Sequence, residues 1–355
     1  MNINDLLGMS VARGASDLHL KTGSPPALRI NGELNVQDDM GIITPEEMTA
    51  IFFDITTEAE REEFARELET DFAYEAKDIG RFRINICRQI GTIGLSCRPI
   101  LTDMPTIEGL GLPAICKELA MKNNGLVIVT GPTGCGKSTT LAAMINHLNQ
   151  TVKRKIVAIG DPVEFIHRDN KCIFTQREIG KDTRSFANAL KHAMRQNPDV
   201  ILVDEMRDLE TMSAVLTAAE TGHLVLTTLH TPGTPESIDR FIDVFPPYQQ
   251  QQVRVQLSLV LEGILYQLLL PRRDGPGRVA AVEIMLATPP IRNLIREGKT
   301  FQMMNTIQTS KEQGMQSLNH ALAALFNRGM ITREQAMARS MEQEDLTGML
   351  HGQKA

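Results

Sequence analysis

The stretch Gly131-Pro132-Thr133-Gly134-Cys135-Gly136-Lys137-Ser138-Thr139 constrains this chain more than any other. It follows an apolar run at 126–130 and precedes a helix-like segment at 139–148. Gly, four residues and then Gly-Lys-Ser, between a strand and a helix, is the setting of a phosphate-binding loop. Glycines let backbone N–H groups approach phosphate oxygens without side-chain interference, and the positive end of the following helix favours an anion. In such a loop Lys137 reaches the β- and γ-phosphates, and the Ser138 hydroxyl ligates Mg²⁺. A Gly-rich turn with a surface lysine is the bland alternative, and the flanking strand and helix weigh against it. The expected ligand is a nucleoside triphosphate.

The 355 residues are too many for one ordinary core, so two domains are expected. Aromatic residues make up only 4% of the chain and Trp is absent, which argues against a stacking surface for single-stranded nucleic acid. A formal net charge of −6 gives no general attraction to nucleic acid or to an anionic membrane. Five cysteines with no Cys-x-x-Cys pair suit reduced thiols. The first residues lack the basic and apolar regions of a targeting segment, and the apolar stretch 255–270 is broken by Gln256, Glu262 and Gln267. A cytoplasmic protein that meets membranes only through partners is expected.

Residues 1–101 read as a small α+β domain. Asn31-Gly32 between two strand-like runs signals a hairpin, and Thr44-x-x-Glu47 and Thr57-x-x-Glu60 read as capping boxes opening two helices. Alternating apolar residues from Phe72 to Leu95 then give an antiparallel sheet carrying Arg81, Arg83, Arg88 and Arg98. Residues 102–113, with two prolines, two glycines and no periodicity, read as a linker. From 114 the chain alternates strands (126–130, 155–160, 172–175, 200–204, 223–229) with helices (138–149, 185–196, 208–221, 235–242), the pattern of a parallel sheet covered on both faces. A hairpin at 264–271 and 278–285 comes next, then helices at 289–297, 316–328 and 332–341. The tail after Gly348 is expected to be loose.

Three further segments can carry chemistry. Val200-Ile201-Leu202-Val203 ends in Asp204-Glu205, and in a phosphate-loop fold this strand is expected beside the loop's own strand, delivering both acids near Mg²⁺. One acid holds the ion's water shell while the other orients or deprotonates the attacking water. Asp161-Pro162-Val163-Glu164 ends another apolar run, and Pro162 turns its acids out of the same sheet edge. Thr221-Gly222-His223 and His230 bracket a strand, and a histidine at either end can hydrogen-bond a γ-phosphate.

In chain order, 131–139, 161–164, 201–208 and 221–230 resemble the Walker A, Asp box, Walker B and His box of the secretion and type IV pilus ATPases. Ala15-Ser16-Asp17-Leu18-His19-Leu20 and Gly80-Arg81-Phe82-Arg83 resemble that family's N-terminal domain. Pro290-Ile291-Arg292-Asn293-Leu294-Ile295-Arg296-Glu297 resembles a segment of its pilus-retraction members, with Pro290 in an Ala position. The resemblance implies a PAS-like α+β domain followed by a RecA-like P-loop domain (114–355) with C-terminal helices at about 289–348. It implies a homohexameric motor that hydrolyses ATP with Mg²⁺, docks on an inner-membrane platform protein and returns pilin from the pilus to the membrane, with no nucleic-acid partner. It suggests Lys137, Ser138, Asp204, Glu205 and Glu164 for phosphate, metal and water, and His230 with Thr221 and His223 as γ-phosphate sensors. Arg81, Arg83 and Arg98 become charge-neutralising groups, and Arg278 is expected to face a neighbouring subunit.

Three departures from the family pattern stand out. Gly160 occupies the place of the first Glu of the Asp box, Asp204 replaces a Gly before Glu205, and Cys135 replaces a Ser in the loop. The alternatives are an accessory retraction ATPase, a pilus-assembly or type II secretion ATPase, a nucleotide-gated module without turnover, and a DNA translocase. No cysteine follows Cys172 to build the assembly branch's four-cysteine zinc module. Retention of both Glu164 and Glu205 argues against a module without turnover, and the acidic balance argues against the translocase.

Overall fold

The computed structural model describes residues 1–30, 32–100 and 104–351, the side chain of His351 apart. The expected turn residue Asn31 and the first two residues of the expected linker lie outside these. The chain divides into two compact units, Met1–Asp103 and Met104–Ala355.

In the first unit, helix α1 (Ile3–Ala12) leads into β1 (Asp17–Lys21), β2 (Ala27–Ile30) and β3 (Glu33–Val36), then α2 (Pro45–Ile55) and α3 (Glu58–Glu67), then β4 (Glu69–Ala76), β5 (Gly80–Gln89) and β6 (Thr92–Ile100). The strands form one antiparallel sheet in the order β3-β2-β1-β6-β5-β4. Both expected capping boxes are present, at Thr44/Glu47 and Thr57/Glu60. Leu6 and Leu7 of α1 and Met48 and Ile51 of α2 pack with Leu18, Leu20, Phe82, Ile84 and Ile86. On β5 that leaves Arg81 and Arg83 on the alternate positions.

In the second unit, residues 104–113 form neither helix nor strand. Ile107 and Leu112 are nevertheless buried in the unit's core, and Asn146 Nδ2 donates to the Pro105 carbonyl at 2.9 Å. This part is thus packed, unlike a free linker. Then come α4 (Ile115–Ala120), β7 (Gly125–Thr130), α5 (Lys137–Thr151), β8 (Lys155–Gly160), β9 (Ile173–Glu178), α6 (Phe186–Ala193), β10 (Val200–Val203), α7 (Leu209–Glu220), β11 (Leu224–Leu229), α8 (Thr234–Asp243) and α9 (Pro247–Val260). Two long strands, β12 (Leu261–Pro271) and β13 (Arg278–Leu286), precede α10 (Pro289–Glu297), α11 (Met303–Thr309), α12 (Leu318–Asn327), α13 (Arg333–Arg339) and α14 (Gln343–His351).

The sheet order is β13-β12-β7-β11-β10-β8-β9, parallel except where β13 folds back on β12. The strands are apolar on both faces because both are covered. Val127 and Val129 of β7 pack with Leu141, Met144, Ile145 and Leu148 of α5. Leu126 and Ile128 of the same strand join Leu216 of α7 and Leu257 of α9 on the other face. The sheet corrects one expectation: β10 is not beside β7, because β11 returns from α7 into the place between them. Helix α14 continues through Gly348 to His351, with Leu346 buried against the C-terminal core; residues 352–355 of the expected loose tail lie outside the described residues.

The buried carboxylate of Glu283 on β13 accepts hydrogen bonds from the backbone N–H and hydroxyl of Thr234 and from the Leu318 N–H. It joins the first residues of α8 and α12 to one strand. Among the described residues no helix is long and apolar enough to cross a membrane.

His167, in the loop between β8 and β9, stacks on Phe174 with ring centroids 5.0 Å apart. Burial pushes its imidazole from the usual 6.5 down to about 4. A base depressed in the fold contributes stability that is present above its unfolded value and lost as pH falls toward its folded value. Denaturant titrations of wild type and His167→Phe, which keeps the stack, should diverge between pH 6.5 and about 4. The wild type should lose on the order of 3 kcal/mol more than the variant over that window. Parallel pH profiles would remove His167 from the account.

Candidate functional site

Strand β7 ends at Thr130, and the chain turns at once into the loop 131–136. At Gly131, φ is +143° and an added Cβ would lie 2.4 Å from the Gln267 carbonyl oxygen and 2.8 Å from Cys135 Sγ. Only glycine fits so close to a neighbouring strand. Gly136, in the left-handed region, precedes α5, which has no side-chain cap and no acidic residue in its first turn. The N–H groups of Lys137, Ser138 and Thr139 and the positive end of the helix therefore lack the usual compensating carboxylate. Pro132, Thr133, Gly134 and Cys135 complete the turn, in which the Cys135 N–H donates to the Pro132 carbonyl at 3.3 Å. Burial pushes the Cys135 thiol up despite the nearby Lys137 charge.

Lys137 is buried, and its Nζ donates to the carbonyls of Gly131 at 3.0 Å and Pro132 at 3.1 Å. It also lies 3.4 Å from His230 Nδ1. An ammonium can only donate, so Nδ1 accepts and the ring proton sits on Nε2, which is 3.3 Å from Glu205 Oε1. Burial and then the Lys137 charge push the imidazole below its ordinary value, in keeping with a neutral ring. Burial pushes the Glu205 carboxyl up, but the hydrogen bond and charge of Arg207, with His230 and Lys137, hold it below the usual carboxylate range. Arg207 Nη2 donates to Glu205 Oε2 at 2.7 Å. The result is a continuous polar chain, Lys137–His230–Glu205–Arg207, along the carboxyl edge of the sheet.

Backbone contacts hold this edge in register. The Asp204 N–H donates to the Ile159 carbonyl, and Thr228 Oγ1 donates to the Asp204 carbonyl at 2.5 Å. Thr231, next to His230, donates its N–H to Thr130 Oγ1 at 3.0 Å, and its hydroxyl is 2.6 Å from Ser237 Oγ on α8. Glu164 lines one cavity with Ser138 and Asp204. Strand β9 holds its loop: the Val163 N–H donates to Glu178, the His167 N–H donates to Gln176, and Gln176 donates to the Phe165 carbonyl. A Cβ at Gly160 would come within 3.0 Å of Val163 Cα, so this loop conformation leaves little room for the larger residue of the family pattern.

Lys137, Ser138, Asp204, Glu205, Glu164 and His230 thus meet at one sheet edge. Thr221 and His223 do not join them within the chain. They stand before β11, where Thr221 Oγ1 is 3.2 Å from His223 Nδ1 and the Gly125 N–H donates to the His223 carbonyl. Six residues of strand separate them from His230, about 20 Å at the usual rise. Arg278 Nη1 donates to the Gly134 carbonyl of its own phosphate loop at 3.3 Å.

The remaining arginines lie on the sheet of the first unit. Arg83 grips Asp71 through Nε and Nη2, Arg98 grips Asp17, and Arg83 and Arg98 are cross-strand partners on β5 and β6. Arg81 is two positions along the same strand. Sequence reasoning missed Arg207, Gln267 and the Thr130–Thr231–Ser237 hydroxyls. Their only local signals were a basic residue two places after Glu205 and a lone amide in an apolar strand.

Residues 113–275 match the family described as type II/IV secretion system protein. The type IV pilus retraction ATPase PilT of Pseudomonas aeruginosa is 46% identical over 336 residues, 95% of this chain and 97% of that one. The type IV pilus ATPase PilU of the same organism is 42% identical, covering 99% of this chain and 91% of its own. The crystal structure of the pilus retraction motor PilT with bound ADP superposes with a TM-score of 0.90 at 42% identity, covering 98% and 99% of the two chains. A phosphate loop facing a histidine and two acidic segments, on a fold shared end to end with these proteins, places the chain in the type II/IV secretion ATPase family, among its type IV pilus ATPases.

Proposed function

We infer that this protein is the ATP-driven motor of type IV pilus retraction, working as a homohexamer at the cytoplasmic base of the pilus machine. The observation that carries this reading is the Lys137–His230–Glu205 chain against an uncapped helix terminus. A full-length likeness to a pilus retraction motor crystallised with ADP supports it. The triphosphate lies along the loop, with its negative charge against the first N–H groups of α5. Lys137 exchanges the Gly131 and Pro132 carbonyls for phosphate oxygens. Ser138 Oγ, Asp204 and Glu205 offer the hard oxygen donors that suit Mg²⁺, which neutralises charge on the β- and γ-phosphates when bound.

Glu205, ionised and oriented by Arg207, aligns and deprotonates the attacking water, and Glu164 lines the cavity beside Ser138 and Asp204. His230 hydrogen-bonds the γ-phosphate. When that group leaves, the histidine falls back to Lys137 and Glu205, and Thr231 and Ser237 carry the shift to α8. Arg81, Arg83 and Arg98 supply positive charge to the transition state from the sheet of an N-terminal PAS-like domain. Their Asp71 and Asp17 partners set the direction of two of the guanidinium groups. Thr221 and His223 act, in this reading, at a different place on the ring from the phosphate loop of their own chain. The platform protein and pilin are the partners, and the membrane is met only through them.

An accessory role beside a second motor is the other reading, kept by the 42% identity with PilU. Expression in a strain that lacks every retraction ATPase separates the two: a primary motor restores twitching alone, whereas an accessory one does not.

Three variants probe the site. Lys137→Ala should lose measurable ATP binding and turnover together. Glu205→Gln should bind ATP within a few-fold of wild type yet hydrolyse it roughly 10² to 10⁴ times more slowly. Arg83→Ala should retain affinity while kcat falls by as much as ~10³-fold, since its charge acts in the transition state. Steady-state phosphate release and nucleotide titration read all three. Unchanged turnover in Glu205→Gln would defeat the hydrolytic assignment, and a normal kcat for Arg83→Ala would take that arginine out of the site.

A further inference from the structure

Gln267 is the one residue of β12 whose side chain reaches into the phosphate loop by hydrogen bonds. It is only 3% exposed and sits one residue beyond Tyr266, the partner of Thr130 at the end of β7. Its Nε2 donates to the Cys135 carbonyl at 2.6 Å. Its Oε1 accepts from Thr140 Oγ1 at 2.7 Å, and Thr140 is itself buried on the first turn of α5. The orientation of the amide follows from chemistry. A backbone carbonyl can only accept, so the nitrogen must face Cys135 and the oxygen must face the Thr140 hydroxyl.

The peptide between Cys135 and Gly136 is planar and trans, so its N–H points opposite to its carbonyl. A carbonyl pinned toward β12 therefore turns the Gly136 N–H away from that strand. The same strand limits the loop sterically. A Cβ at Gly136 would lie 3.0 Å from Gln267 Nε2, and one at Gly131 would meet the Gln267 backbone oxygen. A flat turn built from glycines has many conformations of similar energy, and a buried bidentate amide selects one of them.

We propose that Gln267, steered by Thr140, is a positioning residue for nucleotide binding that aims the Gly136 N–H at the phosphate chain. The assignment rests on the nucleotide reading above and deepens it. Neither side chain touches the reacting atoms. Their effect is on how well the loop is preformed, and so on affinity more than on the chemical step.

The test measures ADP affinity by calorimetry in wild type, Gln267→Met, Thr140→Val and the double variant, with unfolding midpoints of the nucleotide-free proteins and KM and kcat for ATP. Gln267→Met should weaken ADP binding about tenfold, and Thr140→Val by less. The double variant should bind no more weakly than Gln267→Met, because the hydroxyl then has nothing to steer. KM should rise in step with Kd, while kcat and the nucleotide-free midpoints change little. If Gln267→Met fails to fold, the milder Thr140→Val still has to weaken ADP binding. Wild-type affinity in either single variant, full additivity in the double, or a loss of affinity that tracks a loss of nucleotide-free stability would overturn the assignment alone. Failure of the wild type to bind ADP would overturn the nucleotide reading, and this assignment with it.

Discussion

The positive end of one helix, left without a cap, is the feature around which the second unit is built. Helix α5 begins at Lys137 with glycine at its N-cap and no acid in its first turn. A buried helix end without partners costs free energy, and in most proteins an Asp, Ser or Thr satisfies it. Here the first turn keeps its N–H groups without such a partner, and in the proposed function a phosphate chain would supply the missing acceptors. The parallel sheet sets where this happens. Strand β7, apolar on both faces, delivers the chain to the edge where β8, β10 and β11 also end.

Because these strands pair in parallel, their last residues gather at one edge. Glu164 follows β8, Asp204 and Glu205 follow β10, and His230 follows β11. Electrostatics then ties them together: Lys137 needs acceptors, Glu205 needs donors, and the neutral imidazole between them offers one of each. In the proposed function a bound γ-phosphate would compete for both ends of that bridge. Hydroxyl contacts from Thr130 through Thr231 to Ser237 connect the bridge to α8. Glu283 connects α8 onward to α12.

Much of this was legible in the sequence, and the failures have physical causes. The phosphate loop, the capping boxes and the two-faced apolar strands depend on neighbours within a few residues, so they show locally. The sheet order does not: β11 inserts beside β7 because of how α7 crosses the sheet, and nothing in 200–204 records it. The family resemblance groups Thr221 and His223 with His230, and within one chain six residues of strand stand between them. Residues 255–270 read as one core element because α9 passes directly into β12 at Leu261 with no glycine or proline to mark the change. Gln267 looked like a polar interruption of that run. Its role lies in what stands opposite it in space, 132 residues away in sequence.

The central claim is that the bridge among Lys137, His230 and Glu205 opens around a triphosphate. The most direct measurement is a structure of the protein with a non-hydrolysable ATP analogue and Mg²⁺. It should show Lys137 Nζ moved from the Gly131 and Pro132 carbonyls to the β- and γ-phosphates, and His230 turned toward the terminal phosphate. An analogue bound elsewhere, or bound with the Lys137–His230–Glu205 contacts unchanged, would contradict the account.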